Sequence, residues 1–291
     1  MSLWRSRVLV TGAARGIGAA TARELDARGA RLALLDADTP ALRELGAELG
    51  ERHVVMPGDV TESTAVRLAV DAAAEKWGGL DAVVANAGIA SWGTAAELDP
   101  EAFARTVEVN LTGVFRTVHA ALPHILESRG YLLLVSSLAA MLPVPAGSAY
   151  AASKAGVEAL ANSIRLELAG RGVAVGSAHM GVVDTDMVAE ATAAMPVFGS
   201  VQRLLPWPLN GTTSPEDCAR HFVTGIDRRS RRIYVPRAGA LANPLRPLLG
   251  SALLDWTVTN FGSGMLAEAE AQLARFGSAL SERISSLSPD S

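Results

Sequence analysis

Cysteine is almost absent from this sequence of 291 residues, which contains only Cys218. A lone cysteine excludes a disulfide within the chain and is typical of a reducing compartment. Cys218 falls in a predicted helix with no base evident beside it, so we expect it to pack rather than to act as a nucleophile.

Long apolar runs are also missing. A membrane-spanning helix needs about 18 or more consecutive apolar residues. The nearest candidate, residues 238–256, is interrupted by Pro244, Arg246, Pro247 and Asp255. No apolar targeting region precedes the first predicted strand. We therefore expect a cytoplasmic protein without a spanning segment.

The sequence has no excess of positive charge, which binding to a polyanion would require. Acids and bases are interspersed and leave a formal net charge of −4. Because a nucleic-acid binder is expected to present a basic face, we expect no nucleic-acid partner. The five histidines show no metal-ligand spacing, so we also expect no metal.

Short apolar runs alternate with helical patterns along the chain. The predicted strands cover 7–10, 31–35, 54–56, 82–85, 131–136, 173–178 and 233–235. The predicted helices cover 17–28, 40–50, 62–77, 100–129, 149–169 and 214–228, the last with Ser214 as N-cap and Pro215 at its first position. The runs are apolar throughout, which is typical of a parallel sheet covered on both faces. We predict an α/β fold with a doubly wound, seven-stranded, Rossmann-like parallel sheet over residues 1–237, followed by a largely helical extension over 238–291.

Two segments fall outside this alternation. Residues 187–209 are mostly apolar, and Pro196, Pro206 and Pro208 argue against a long helix there. We expect burial of this segment, as a lid over an apolar substrate or as an insertion packed on the extension or another subunit. From Leu266 to Leu287 apolar residues recur at helical spacing. That helix would pack on its own domain, on a partner subunit or on a membrane surface.

A glycine-rich loop, residues 11–18 (TGAARGIG), joins the first strand to the first helix. The free N–H groups at a helix N-terminus bind a diphosphate, and glycine lets the phosphate approach the backbone. Asp36 ends the second strand, where an acid can accept hydrogen bonds from both hydroxyls of an adenosine ribose and repel a 2′-phosphate. The alternatives are an ordinary tight turn and a solvated aspartate. Together the two features favour a dinucleotide site.

Further motifs give the sequence a resemblance to the short-chain dehydrogenase/reductase family. The loop matches that family's T-G-x-x-x-G-x-G pattern, residues 86–88 read N-A-G, and Ser137, Tyr150 and Lys154 match S-x(12)-Y-x(3)-K. These motifs keep the family's order over roughly residues 5–235, and the tail lies outside the resemblance. The resemblance implies an enzyme that interconverts a secondary alcohol and a ketone by hydride transfer with a nicotinamide cofactor.

The resemblance also implies the cofactor contacts. Asp59 and Val60 are similar to the segment that meets the adenine, and Val183 and Thr185 to the turn that meets the nicotinamide carboxamide. Met180 stands where the family usually has proline, and we expect this change to loosen the turn without abolishing binding. The expected contacts are Gly12, Arg15, Gly16, Ile17, Gly18, Asp36, Asp59, Val60, Asn86, Ala87, Gly88, Tyr150, Lys154, Gly181, Val183 and Thr185.

Tyr150 is expected to transfer the proton. Lys154 shares its helix face, and its ammonium, together with the charge of the oxidised nicotinamide, is expected to lower the pKa of the phenol. Ser137 is expected to hydrogen-bond the substrate oxygen, with the adjacent Ser136 as the rival donor. By resemblance, Lys154 also holds the nicotinamide ribose, and Asn110 orders a water that relays the proton.

Asp36 favours NAD over NADP, although Arg15 resembles the loop base of NADP-dependent members. We expect the repulsion at Asp36 to outweigh that arginine. We also expect an apolar small-molecule substrate and a homo-oligomer, either a dimer or a tetramer. A different class remains open: a cofactor-binding scaffold or redox-sensing regulator without turnover, which the intact set of Ser137, Tyr150 and Lys154 disfavours. Epimerase or dehydratase chemistry on the same fold is a third interpretation.

Overall fold

The computed structural model describes residues 2–194 and 210–249, together with positions 251, 252, 256, 259, 260, 264 and 271. Most of the expected lid, residues 195–209, lies outside the described residues. So does the amphipathic pattern from Leu266 to Leu287, except for position 271. The division of the chain at residue 237 stays a prediction.

Seven parallel strands form a single sheet. They are β1 (Arg7–Thr11), β2 (Arg31–Asp36), β3 (Val54–Pro57), β4 (Ala82–Ala85), β5 (Tyr131–Val135), β6 (Ala174–Met180) and β7 (Arg232–Val235). Their order across the sheet is β3-β2-β1-β4-β5-β6-β7. The predicted α/β fold with a seven-stranded parallel sheet is confirmed.

The helices fill the connections between strands. They are α1 (Gly16–Ala27), α2 (Thr39–Leu49), α3 (Ser63–Trp77), α4 (Pro100–Val107), α5 (Gly113–Glu127), α6 (Ser148–Glu167), α7 (Asp186–Ala194), α8 (Pro215–Arg228) and α9 (Ala242–Leu249). The Ser214 hydroxyl caps α8 by accepting a hydrogen bond from the Asp217 N–H at 3.1 Å, as predicted. Helix α7 covers the start of the segment 187–209 and ends before Pro196, the first of the prolines that argued against a long helix there.

The helix predicted over residues 100–129 is interrupted. A π-helical turn, Glu108–Thr112, separates α4 from α5, and α5 ends at Glu127. Such turns insert one extra residue into a helix and often occur at functional sites. Here the turn carries Asn110, whose buried side chain bonds outside the helix. The prediction of one regular helix was therefore wrong at this point.

Helices cover both faces of the sheet, which explains why its strands are apolar without alternation. Val8 and Val10 of β1 belong to one buried cluster, with Leu25 and Phe222 from α1 and α8. The residue between those two valines, Leu9, belongs to the other cluster, which α3, α5 and α6 cover. Every strand residue of β4 and β5 is buried.

An ion pair joins the amino-terminal ends of β1 and β4. Asp81 accepts hydrogen bonds from the backbone and side chain of Arg7, with Nη2 lying 2.6 Å from Oδ1. Burial acts to raise the pKa of Asp81, but these bonds outweigh burial and the pKa is lowered. A carboxyl with a lowered pKa stabilises the fold above its unfolded pKa and loses that effect as the pH falls.

We expect Asp81→Ala to lower the free energy of unfolding by about 2 kcal/mol at neutral pH, since the Arg7 guanidinium loses its acceptor. Urea unfolding from neutral pH to below about pH 4 measures this difference, which should shrink as the pH falls. Asp71→Ala, an exposed acid on α3, is the control and should change stability by less than about 0.5 kcal/mol. A difference that does not depend on pH would contradict the assigned role of the Asp81 charge.

Candidate active site

A cleft of about 470 Å³ opens at the carboxyl ends of β1, β2 and β4. Strand β1 lies between β2 and β4, so the chain reverses its direction of winding at this point. Open α/β sheets bind ligands at such a switch point. Among the expected cofactor contacts, those lining this cleft are Gly12, Arg15, Asp36, Asp59, Val60, Ala87 and Gly88.

The glycines of the loop permit close backbone packing. A Cβ built on Gly18 would lie 1.8 Å from the Gly12 carbonyl oxygen. Gly12 has a φ of +63°, and a Cβ there would lie 2.6 Å from the Cα of Ala87. The side-chain amide of Asn86 donates to the Gly12 carbonyl at 3.0 Å. The loop, α1 and the segment after β4 are therefore packed as one unit.

The N-terminus of α1 fits a diphosphate. Its N-cap residue, Arg15, makes no side-chain capping bond, and the first turn contains no acid. The leading N–H groups of this helix thus have no side-chain acceptor, and their partial positive charge faces the cleft. Ile17, expected from the motif to contact cofactor, packs its side chain partly against the buried core.

Acids surround Arg15 at the adenosine end of the cleft. The carboxylate of Asp36 accepts hydrogen bonds from the Ala14 and Asp38 N–H groups, each at 2.9 Å. Burial raises the pKa of Asp36, and these two bonds offset only part of that effect. Arg15 pairs with Asp38 and lies 4.0 Å from Asp186 of α7. Sequence reasoning missed both partners: Asp38 is visible two residues after Asp36, whereas only the fold brings Asp186 to the loop.

Asp59 is held by an arginine that the sequence did not indicate. Arg105 of α4 donates to Asp59 Oδ2 at 2.6 Å, and the Thr61 N–H donates to Oδ1 at 2.9 Å. Burial acts to raise the pKa of Asp59, but these bonds outweigh it and the pKa is lowered. Arg105 also lines the cleft, so a fixed cation lies beside the expected adenine position.

The expected catalytic side chains lie between β5 and α6. The buried ammonium of Lys154 donates to the Val135 carbonyl at 3.0 Å. The hydroxyl of Ser137, just beyond β5, lies close to the Tyr150 phenol, whose pKa it acts to lower, and donates to the Met180 carbonyl at 3.3 Å. The rival Ser136 hydroxyl instead donates to the Lys154 carbonyl at 2.8 Å and is fully buried. Of the two serines, Ser137 is the one beside the phenol.

Asn110 joins the π turn to the segment after β4. Its Oδ1 accepts from the Ile89 N–H at 2.8 Å, and its Nδ2 donates to the Ile89 carbonyl and to Ser153 Oγ. A Cβ built on Gly88 would lie 3.2 Å from both Asn110 Oδ1 and Lys154 Nζ. The lack of a side chain at Gly88 therefore leaves room for both of these polar side chains. The ordering of a relay water by Asn110 stays a prediction.

The pKa of Tyr150 differs from the expectation. Burial raises it, and the nearby Ser137 hydroxyl offsets only part of the rise. Burial also lowers the pKa of Lys154 to about 8. The ammonium lies 5.6 Å from the centre of the Tyr150 ring and bonds to a carbonyl instead of the phenol. The expected lowering by Lys154 was therefore wrong for the protein side chains alone, which favour the neutral phenol.

Aromatic and apolar side chains extend the cleft towards Tyr150. The rings of Trp92 and Tyr150 stack with centroids 6.3 Å apart. A Cβ on Gly147 would lie 2.8 Å from the Trp92 ring, so glycine leaves room for it. Met187 and Ala191 of α7 line the same cleft. The described start of the expected lid thus reaches the cofactor cleft, and sequence reasoning missed Trp92.

The turn after β6 is held firmly despite Met180. Strand β6 continues to that residue, which is buried and pairs with Val235. The Gly181 N–H donates to the Val235 carbonyl at 2.8 Å, and Val183 bridges to Thr213. Sheet pairing thus constrains the backbone on both sides of this turn, and the expected loosening stays a prediction. Thr185 lies against the glycine loop, 3.2 Å from a Cβ built on Gly16.

Comparison with known proteins identifies the family. A family model described as short chain dehydrogenase matches residues 6–196. The chain is 35% identical to 3β-hydroxysteroid dehydrogenase 1 of Eggerthella lenta over 218 residues, which is 73% of this chain and 83% of that protein. It is also 35% identical to trans-4-hydroxycyclohexanecarboxylate dehydrogenase of Sinomonas cyclohexanicum over 190 residues, covering 62% and 73%.

Solved structures show the same similarity. A 3-ketoacyl-(acyl-carrier-protein) reductase from Brucella melitensis, complexed with NADH, is 25% identical and superimposes with a TM-score of 0.71, covering 80% of this chain and 98% of that one. A short-chain dehydrogenase/reductase from Mycobacterium marinum is 27% identical with a TM-score of 0.72, covering 80% and 94%.

The chain belongs to the short-chain dehydrogenase/reductase family. It is an oxidoreductase that acts on hydroxyl groups and uses a nicotinamide cofactor. Among the helices in the described part of the chain, none combines the length and apolarity required to cross a membrane.

Packing of the glycine loop leads to a direct prediction. Gly18→Ala should weaken NADH binding at least about tenfold and destabilise the protein by about 1–3 kcal/mol, because the new methyl group displaces α1 from the Gly12 carbonyl. Fluorescence titration with NADH and thermal unfolding measure the two effects. Ala27→Gly, at the exposed last turn of α1, should cost about 1 kcal/mol and leave NADH binding unchanged. Equal NADH affinity in Gly18→Ala and the parent protein would disprove this packing argument.

Proposed function

We propose that this protein is an NAD-dependent dehydrogenase that interconverts a secondary alcohol and a ketone on an apolar substrate. Tyr150 would transfer the proton, Ser137 would hydrogen-bond the reacting oxygen, and Lys154 would supply positive charge. The observation that supports this proposal most is that the Ser137 hydroxyl and the buried Lys154 ammonium both lie beside the Tyr150 side chain.

The chemistry requires a proton to move as the hydride moves. A bound nicotinamide would supply or accept the hydride at the carbinol carbon, and its oxidised form would bring a positive charge to the site. In alcohol oxidation Tyr150 accepts the hydroxyl proton, and in ketone reduction it returns that proton. Because burial raises the pKa of Tyr150, we expect phenolate to form only when this second charge joins that of Lys154.

NAD is proposed as the preferred cofactor because the adenosine end of the cleft is acidic. Asp36 lines the cleft with both carboxylate oxygens held by backbone N–H groups. Arg15 forms an ion pair with Asp38 and lies close to Asp186. These acids offset the charge that would otherwise attract a 2′-phosphate. A 2′-phosphate would therefore meet fixed negative charge without a free arginine to compensate.

The substrate is proposed to carry its hydroxyl on an apolar ring or chain. Two relatives are named for hydroxyl-bearing ring substrates, a 3β-hydroxysteroid and a hydroxycyclohexanecarboxylate. The flat Trp92 ring stacked on Tyr150 offers an apolar wall for such a ring. Residues 187–209 are proposed to close over it as a lid, with Met187 and Ala191 at its start. Cytoplasmic location and homo-oligomerisation stay predictions from the sequence.

A turnover assay with a matched variant tests the proton-transfer role. The panel contains cyclohexanol, trans-4-hydroxycyclohexanecarboxylate and a 3β-hydroxysteroid, each with NAD⁺ and NADP⁺, followed by NADH or NADPH absorbance. Tyr150→Phe should lower kcat at least about 100-fold, because the ring still packs on Trp92 while the transferable proton is gone.

NADH binding and thermal stability of Tyr150→Phe should stay close to those of the parent protein. Tyr234→Phe, a hydroxyl removed from β7, is the matched control and should keep most of the activity. Near-parental turnover by Tyr150→Phe rejects the assigned role. An absence of turnover in the parent protein with every alcohol and cofactor would favour the non-catalytic scaffold.

Cofactor preference provides a separate test of the acidic cluster. The parent protein should show a higher kcat/KM with NAD⁺ than with NADP⁺. Asp38→Ala should raise kcat/KM for NADP⁺ about tenfold or more, because Arg15 loses a partner and can meet the 2′-phosphate. Asp71→Ala is the control for the removal of an acid elsewhere. A parental preference for NADP⁺ would contradict the proposal.

A further inference from the structure

The chain beyond β7 packs on the loop that follows the proposed catalytic serine. A Cβ built on Gly239 would lie 3.0 Å from the Leu138 side chain, so these two segments are in close contact. Ala242, at the start of α9, is buried in one cluster with Ala140 and Met141. Residues 138–142 directly follow Ser137. The position of Ser137 therefore depends on contacts with a segment that lies outside the family match to residues 6–196.

Arg246 of α9 makes the polar contacts of this interface. Its Nη2 donates to the Ala140 carbonyl at 3.0 Å, and its Nη1 lies 3.2 Å from Glu158 Oε2. One planar guanidinium thus joins the serine loop to α6. Glycine or alanine at this position could not bridge the two, and lysine could contact only one of them well.

Glu158 connects this bridge to the helix that carries Tyr150 and Lys154. It lies on α6 at a spacing of four residues from Lys154 and eight from Tyr150, so the three side chains occupy successive turns on one side of the helix. Its side chain is 4% exposed, and the second partner is Arg232 of β7 at 3.3 Å. A buried carboxylate requires such partners, because burial of an unpaired charge is strongly unfavourable. The charge of Glu158 therefore attracts Arg246 to this position.

A second contact restrains the other end of the loop. The ring Nδ1 of His179 lies 3.4 Å from the Ser137 carbonyl, and its Nε2 lies 2.9 Å from Ser177 Oγ. A carbonyl can only accept, so Nδ1 carries the proton. The His179 ring stacks on Tyr234, with centroids 5.2 Å apart. The backbone of the loop is thus held at Ser137 from β6 and at Ala140 from α9.

We propose that Arg246 and Glu158 are positioning residues for the reaction. Together they hold the loop carrying Ser137 against the helix carrying Tyr150 and Lys154, so that the Ser137 hydroxyl stays beside the Tyr150 phenol. This inference rests on the proposed function, since it assigns a purpose to the distance between Ser137 and Tyr150. Neither residue lines the cofactor cleft, so their loss should affect the chemical step and leave dinucleotide binding intact.

The test compares Arg246→Ala, Arg246→Lys, Glu158→Gln and the double variant Arg246→Ala/Glu158→Gln with the parent protein. Arg23→Ala, which breaks an exposed arginine–glutamate pair between α1 and α2, is the matched control. The measurements are kcat and KM for the fastest alcohol among cyclohexanol and the other alcohols above, the dissociation constant of NADH, and hydrogen exchange of the amides of residues 137–142.

Arg246→Ala should lower kcat roughly 10- to 100-fold, because a small displacement of a positioned group is enough to produce such a loss. NADH affinity should be unchanged, and exchange at residues 137–142 should be faster. Arg246→Lys should recover part of kcat. The loss of activity in the double variant, expressed as a free energy, should be clearly smaller than the sum of the single losses, since both substitutions break one bridge. Arg23→Ala should match the parent protein in all three measurements.

Parental kcat in Arg246→Ala, or an equal loss in Arg23→Ala, would overturn the proposal. A weaker NADH affinity that accounts for the whole loss of activity would also overturn it, because the effect would then concern binding. If the parent protein turns over no alcohol, the proposed function fails first. Hydrogen exchange still decides the bridge in that case: unchanged exchange at residues 137–142 in Arg246→Ala shows that Arg246 does not hold the loop.

Discussion

The buried ammonium of Lys154 is the charge on which the arrangement of the site depends. It is 3% exposed, and burial lowers its pKa to about 8. A charge in such surroundings needs a fixed acceptor, which the Val135 carbonyl at the end of β5 provides at 3.0 Å. Gly88 leaves the space above the ammonium open. Three elements therefore come together around this ammonium: β5, α6 and the segment after β4. The ring of Tyr150 lies beside them.

Irregular backbone segments make several of the contacts that hold the site together. The π turn at Glu108–Thr112 turns Asn110 towards Ile89 and Ser153, which fixes the segment after β4 against α6. Gly12 and Gly18 have no side chains, which lets the glycine loop pack against Ala87 and lets α1 approach the Gly12 carbonyl. Beyond the family match, α9 reaches the loop after Ser137 through Arg246. The reacting groups are thus held by contacts between segments that are distant in sequence, which is how a rigid scaffold gives its loops a defined geometry.

Local patterns account for the parts of the molecule that the sequence predicted well. Continuous apolar runs such as 82–85 and 131–135 are buried on both faces of the sheet, and Ser214 caps α8 because a serine before proline favours that geometry. The parts that were missed depend on the tertiary fold. One inserted residue in the π turn leaves the helical pattern of residues 100–129 almost unchanged. The Asp186 partner of Arg15 lies far away in sequence, and the raised pKa of Tyr150 results from burial, which residue spacing does not reveal.

The central claim is that Tyr150 becomes a base only when the charge of the oxidised cofactor is added to that of Lys154. The chain has three tyrosines, so tyrosines labelled with ¹³C at Cζ give three NMR signals that single substitutions can assign. A pH titration with and without NAD⁺ follows the ionisation of each phenol. The account predicts that NAD⁺ lowers the pKa of Tyr150 by roughly 2 units, and that Lys154→Met raises the pKa of Tyr150 in the protein saturated with NAD⁺. A pKa of Tyr150 that is the same with and without NAD⁺ would contradict it.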